Sequence, residues 1–222
     1  MTAEGEPARN PPKGTPEAGA ILAETAETAE TAVAAIAEEL SSGAPVIEVP
    51  EPFEAFDAAV DRLFDHLRGR PVIDRVMYTT SELADFSLLW HLLSVANALR
   101  SERAFRESRR MTVVLGLEST VVNLGVKTLF KRRRPVPEFV RPHHLRVPLT
   151  SSFPSGHASA AFCAAGLLSG GSRRGPIYYG AAVLIATSRV HVKIHHGSDV
   201  IAGALLGTTL AALARRVWPI GV

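Results

Sequence analysis

Five apolar stretches, residues 83–99, 111–130, 157–168, 177–187 and 200–214, succeed one another across the C-terminal part of this 222-residue chain. Their length, and the scarcity of strand-like alternation between them, point to helices. Gly, Ala, Ser and Thr are abundant in them, as in membrane helices whose backbones pack closely. Several are shorter than the roughly 18 apolar residues of a bilayer span. Asp85, His91, Glu118 and Asn123 interrupt the first two. A soluble helical bundle is the competing arrangement. Flanking residues complete the spans, so the expected fold is all-α: a helical bundle of about five transmembrane helices.

The segment before the bundle is of different composition. Residues 1–60 hold 12 acidic and 2 basic side chains, a net of −10, whereas residues 61–222 carry a net of +12. Residues 1–50 read as a disordered, acidic tail rich in Ala, Glu, Thr and Pro, with Glu-Thr-Ala repeated three times over 24–32. The tail lacks the apolar core of a secretory signal. Residues 53–67 place Phe53, Phe56, Val60, Leu63, Phe64 and Leu67 at helical spacing against Asp57, Asp61, Arg62 and Asp65. This amphipathic helix is expected to precede the bundle and pack on it rather than lie in the membrane surface. The helical membrane domain is thus expected over 51–222.

Three short segments carry chemistry: Lys127-x6-Arg134-Pro135, Pro154-Ser155-Gly156-His157 and Ser188-Arg189-x5-His195-x3-Asp199. A phosphoryl group in transfer spreads its charge over three oxygens, so its catalysis is positioning and electrostatics. Arg134 and Arg189 offer forks that grip such oxygens, and Lys127 a point charge. On a continuous helix Lys127 and Arg134 would lie nearly two turns apart on one face, with Pro135 ending the helix just before Arg134. Ser155 is a good N-cap, and the helix start it defines presents free N–H groups to an anion, with Gly156 allowing close approach. A carboxylate four residues from an imidazole fixes its tautomer, so His195 is the expected nucleophile and Asp199 its orienter. His157 is the expected acid for the leaving oxygen.

In order and spacing these segments resemble the signature of the type 2 phosphatidic acid phosphatase superfamily. The likeness covers Lys127 to Asp199, about a third of the chain. It implies Lys127, Arg134 and Arg189 as phosphate ligands, with Ser155 and Gly156 closing the pocket. It also implies a phosphohistidine at His195 and a reaction without metal or other cofactor. The implied substrate is an amphiphilic lipid phosphate, either phosphatidic acid and related glycerolipids or polyprenyl phosphates and diphosphates. Soluble acid phosphatases and vanadate haloperoxidases share the signature and remain alternatives, as does a non-catalytic protein binding anionic lipids.

His191, His195, His196 and Asp199 have the spacing of a divalent-metal site, but the neighbouring cations favour an oxyanion; His191 and His196 are then bystanders. Lys131, Arg132 and Arg133 read as a plain juxtamembrane basic cluster, without the aromatic interleaving of a nucleic-acid binder. His143 and His144 lie in a Pro-flanked loop, and Cys163 reads as core packing. Five spans bring all three motifs to one face. Arg100, Arg103, Arg106, Arg109, Arg110, Arg173, Arg174, Arg215 and Arg216 then mark the other face as cytoplasmic. The expected location is the cell membrane, multi-pass, with the site on the extracytoplasmic face.

Overall fold

The computed structural model describes residues 50–137, 141, 145, 147, 148, 150–170 and 173–220. The expected acidic tail lies outside them apart from Pro50, as do His143 and His144. Among the described residues all regular structure is helical. The elements are α1 (Glu51–Asp65), α2 (Pro71–Leu83), a short 3-10 turn (Asp85–Ser87), α3 (Leu88–Ala98) and α4 (Glu102–Thr120). Helix α4 runs on through a π turn (Val121–Gly125) and a 3-10 turn (Val126–Leu129). Then come α5 (Gly156–Leu168), α6 (Gly175–His191) and α7 (Gly197–Val217).

Helix α5 is the centre because its side chains are small enough for three neighbours to close on it. Ala158, Ser159, Ala160, Ala161, Cys163, Ala164 and Ala165 are all buried, and α4, α6 and α7 pack around them. The seam with α7 is backbone against backbone. A Cβ on Gly203 would run into the Ser155 carbonyl oxygen, and one on Gly207 into that of Ser159. A Cβ on Gly166 would stand 2.7 Å from that of Ala211. Small residues at four-residue spacing permit such an approach between helices. The bulky core lies to the other side, where Trp90, Met111, Leu115 and Ile185 are buried against the α5 alanines.

Polar groups tie the ends. Ser101 caps α4, accepting from Ala104 N–H at 3.2 Å. Ser94 and Ser108 exchange hydroxyl–carbonyl bonds between α3 and α4. Arg110 reaches the carbonyls of Trp218 and Leu167, and Arg215 that of Gly166, so cations face the C-terminal end of α5. Gly156, in the Pro-Ser-Gly-His motif, starts the opposite end of the same helix.

The first apolar stretch does not form one span. Its chain breaks at the 3-10 turn, where Ser87 takes a left-handed conformation with φ 56°. The α3 remnant, 11 residues, measures only ~16 Å. Among the described residues two helical segments are long and apolar enough to cross a bilayer, Glu102–Leu129 with its bent end and Gly197–Val217. They expose Leu117, Leu124, Leu205 and Leu213, the outward apolar face that a membrane helix presents to lipid. The amphipathic helix forms as α1 and packs on α6 and α7 through Val60 and Phe64. Phe53, Phe56 and Leu63 stay exposed.

Candidate active site

Ser155 begins the site in the manner its sequence indicates. It is the N-cap of α5, its hydroxyl accepting from Ala158 N–H. Its own N–H donates to the Asp199 carbonyl at 2.9 Å, which ties the motif to the start of α7. Gly156 faces Lys127: a Cβ there would stand 3.7 Å from Lys127 Nζ. The Lys127 ammonium is buried and donates to Thr150 Oγ1 at 3.3 Å.

Lys127 and Arg134 do not share a helix. The helix ends at Leu129, and Phe130 is extended with ψ 132°. Four consecutive cations repel one another on a helical turn, whereas in extended chain successive residues take opposite sides. The segment is held by Ser152 N–H on the Arg132 carbonyl at 3.0 Å and by Arg132 N–H on Ser151 Oγ at 3.2 Å. Arg134 then turns inward onto the carbonyls of Ile194 and Thr150, both at 3.0 Å. Its Nη1 also lies 3.2 Å from His195 Nε2. Arg133 points outward and is exposed.

His195 sits in the turn between α6 and α7, its N–H on the Arg189 carbonyl at 3.1 Å. The ring is buried, with Nδ1 3.6 Å from Asp199 Oδ2 and without a hydrogen-bond partner among the described residues. Asp199 belongs to a capping box at the start of α7, accepting from His196 N–H at 2.9 Å. Its other oxygen accepts from Arg132 at 2.5 Å. Arg189 is buried and held by the Ser81 hydroxyl and carbonyl. Arg134 Nε and Arg189 Nε and Nη2 are buried donors without protein partners among the described residues. Unpaired buried N–H groups are costly. Such donors around an imidazole suit an oxyanion.

Electrostatics keep the imidazole neutral. Burial, joined by the positive charges of Arg134 and Arg189, pulls the pKa of His195 down to about 3 from its ordinary 6.5, against the pull of Asp199. Arg134 is lowered to about 10 by burial and stays charged at neutral pH. The unfolded chain therefore binds a proton near pH 6.5 that folded His195 refuses. Its contribution to stability is full above that pH and lost as the pH falls towards the folded value. Thermal unfolding in detergent is expected to show a melting temperature that drops below pH 6.5, and less steeply in His195→Gln.

The second histidine of the motif has a partner that lies far away in sequence. His157 Nε2 is 2.8 Å from Asp85 Oδ1, a residue of the 3-10 turn that breaks the first apolar stretch. Arg132, expected in the plain basic cluster, instead holds Asp199. Neither role has a signal in sequence: Asp85 looks like a flaw in a span, and Arg132 is one of four cations. His191 bonds Asp74 at 2.8 Å and His196 the Arg133 carbonyl at 3.2 Å, so the two rings have separate partners. Glu118 is buried, whereas Asn123 bonds back to Ser119 within its own helix. Cys163, the only cysteine, is fully buried in α5.

A helical bundle that gathers buried cations around a buried, carboxylate-backed histidine has the residue inventory of a phosphoryl-transfer site. The profile of the PAP2 superfamily matches residues 109–220, and the chain belongs to that family. It is a phosphatase, a hydrolase of phosphoric esters. The decaprenylphosphoryl-5-phosphoribose phosphatase of Mycobacterium tuberculosis is 29% identical over 140 residues, 62% of this chain and 76% of that one. Among solved structures, LpxE of Aquifex aeolicus is 26% identical and superimposes with a TM-score of 0.61 over 78% of this chain and 99% of that one. The fold is also that of a transmembrane PAP2-type phosphatidylglycerolphosphate phosphatase from Bacillus subtilis. That protein is 23% identical, with a TM-score of 0.60 over 84% of this chain and 94% of that one.

Proposed function

We propose that this phosphatase hydrolyses a lipid phosphomonoester or diphosphate through a phosphohistidine at His195. The observation that carries the reading is the ring of buried cations beside His195 Nε2, with donors on Arg134 and Arg189 that have no partner among the described residues. The phosphoryl oxygens bind Lys127, Arg134, Arg189 and the N–H of Gly156, at the helix start that Ser155 caps. Nε2 of His195 attacks phosphorus while Asp199 takes the Nδ1 hydrogen bond and stabilises the cation that forms. His157 gives its proton to the leaving alkoxide or phosphate. It then takes a proton from water, which attacks the phosphohistidine and frees His195 and inorganic phosphate. Asp85 keeps the His157 ring aimed. Asp85→Asn is expected to lower kcat about tenfold to a hundredfold with KM little changed, a part of what acid–base catalysis supplies.

An amphiphilic substrate fits the surroundings. An apolar groove of about 580 Å³ is walled by Phe53, Phe56, Phe130, Phe153, Ile201 and Leu205. Phe153 precedes the Pro154 motif and Ser198, also in its wall, precedes Asp199. The name of the mycobacterial relative favours a polyprenyl chain over a diacylglycerol. The arginine-rich end of α5 faces the cytoplasm in this reading, so the protein is multi-pass and the site extracytoplasmic.

Phosphate release tests the reading, with phosphatidic acid, a polyprenyl diphosphate and a soluble aryl phosphate offered in EDTA. The expected result is hydrolysis of the polyprenyl compound ahead of the others, undiminished by the chelator. Preference for the aryl ester would refute the lipid assignment, and loss of activity to EDTA would refute the metal-free histidine mechanism.

A further inference from the structure

We propose that Asp57 of α1 and Arg132 form a positioning relay behind the nucleophile, in which Asp57 fixes Arg132, Arg132 fixes Asp199, and Asp199 aims His195. The inference rests on the reading of His195 as nucleophile and Asp199 as its orienter. It adds two residues that the three motifs leave unspecified, one of them on a helix that lies before the family-matched region.

The contacts form an unbroken chain. Arg132 Nη1 donates to Asp199 Oδ1 at 2.5 Å and to Ser198 Oγ at 2.8 Å. Its Nη2 donates to Asp57 Oδ2. Asp57 in turn accepts from Ser198 N–H and from the Ser198 hydroxyl, both at 2.7 Å. Asp57 is 5% exposed and Asp199 not at all. Burying two carboxylates on one guanidinium is worth its desolvation only if the geometry is closed on every side. Here the planar fork meets one carboxylate with each nitrogen, and a backbone N–H meets the outer one. A lysine has the charge but not the fork.

The consequence falls on Asp199. Its Oδ2 faces both His196 N–H at 2.9 Å and His195 Nδ1 at 3.6 Å. With Oδ1 held by Arg132, the carboxylate cannot rotate away and Oδ2 stays in front of the ring. Arg132 and Arg134 lie two residues apart in the segment after the helix and both reach the His195 turn and the start of α7. One segment thus approaches both ring nitrogens of His195: Nε2 directly through Arg134, and Nδ1 through Arg132 and Asp199. Removing Arg132 or neutralising Asp57 leaves the phosphate clamp intact and loosens only the aim of the nucleophile.

The test uses the full-length protein in detergent with whichever of the three panel phosphates the wild type hydrolyses fastest. Asp57→Asn and Arg132→Gln are each expected to lower kcat about tenfold to a hundredfold with KM within about threefold, as loss of orientation does. The double variant is expected to fall no more than about threefold below the worse single one, since the two act through one chain. Asp57→Glu is expected to recover most of the loss. Wild-type kcat in Asp57→Asn, a change confined to KM, or multiplicative losses in the double variant would overturn the relay. His195→Ala is run beside them. If it is inactive while Asp57→Asn is normal, only the relay fails. If it is active, the nucleophile assignment fails and takes the relay with it. Should Asp57→Asn not fold, Arg132→Lys replaces it with the same expected loss of kcat.

Discussion

His195→Ala is expected to lower kcat at least about 10^4-fold, the scale seen when a covalent nucleophile is removed. Binding should survive, because Lys127, Arg134 and Arg189 are held by other groups: Thr150 for the first, Ile194 and Thr150 carbonyls for the second, Ser81 for the third. Steady-state phosphate release gives kcat, and inhibition by inorganic phosphate reports binding before and after the change. A variant that keeps kcat within tenfold would refute His195 as nucleophile. His157→Ala separates the two histidines by leaving group. An aryl phosphate needs little protonation to depart, so its hydrolysis should suffer far less than that of an alkyl phosphate. Equal losses on both would refute His157 as the acid.

Gly203→Ala is expected to damage both fold and activity, although the residue touches no substrate. Its Cβ would press into the Ser155 carbonyl and lie 3.2 Å from Ala158 Cβ, so α5 must move off α7. Overpacking of this kind costs about 1–3 kcal/mol. The displaced backbone is that of Ser155 and Gly156, and a shift of about 1 Å at a positioning group can cost about a hundredfold in rate. Gly116→Ala is the control, for nothing lies within 4 Å of its Cβ. There alanine favours the helix by about 0.5–1 kcal/mol, and its melting temperature should rise or hold. Comparable losses in the two variants would refute the seam as the cause.

What sequence could supply here was chemistry at fixed spacing. Ser155 as a helix cap and Asp199 four residues from His195 are local relations, settled within one or two turns, and both appear in the fold. The relation of Lys127 to Arg134 departs from the helical expectation because a run of four cations lies between the helix end and Pro135. In the fold that run straightens to spread its charges and reach carbonyls across the loop. Asp57, Asp85 and Arg132 had no visible role because their partners are 75, 72 and 67 residues away. Only packing of α1 and of the broken first stretch onto the bundle brings them in. The left-handed Ser87 that makes the break carries no local sequence mark.

The masked thiol of Cys163 makes this a chain whose topography can be mapped chemically. Because the single native cysteine is shut inside α5, a new one at an exposed position would be the sole target of a membrane-impermeant maleimide in intact cells. Val136, 80% exposed beside the phosphate strand, and Leu99, 85% exposed next to Arg100, are suitable places. Labelling at 136 and protection at 99 would set the orientation of the enzyme in its bilayer. The native thiol, silent in the folded bundle, would become a built-in reporter of the moment at which the helices part.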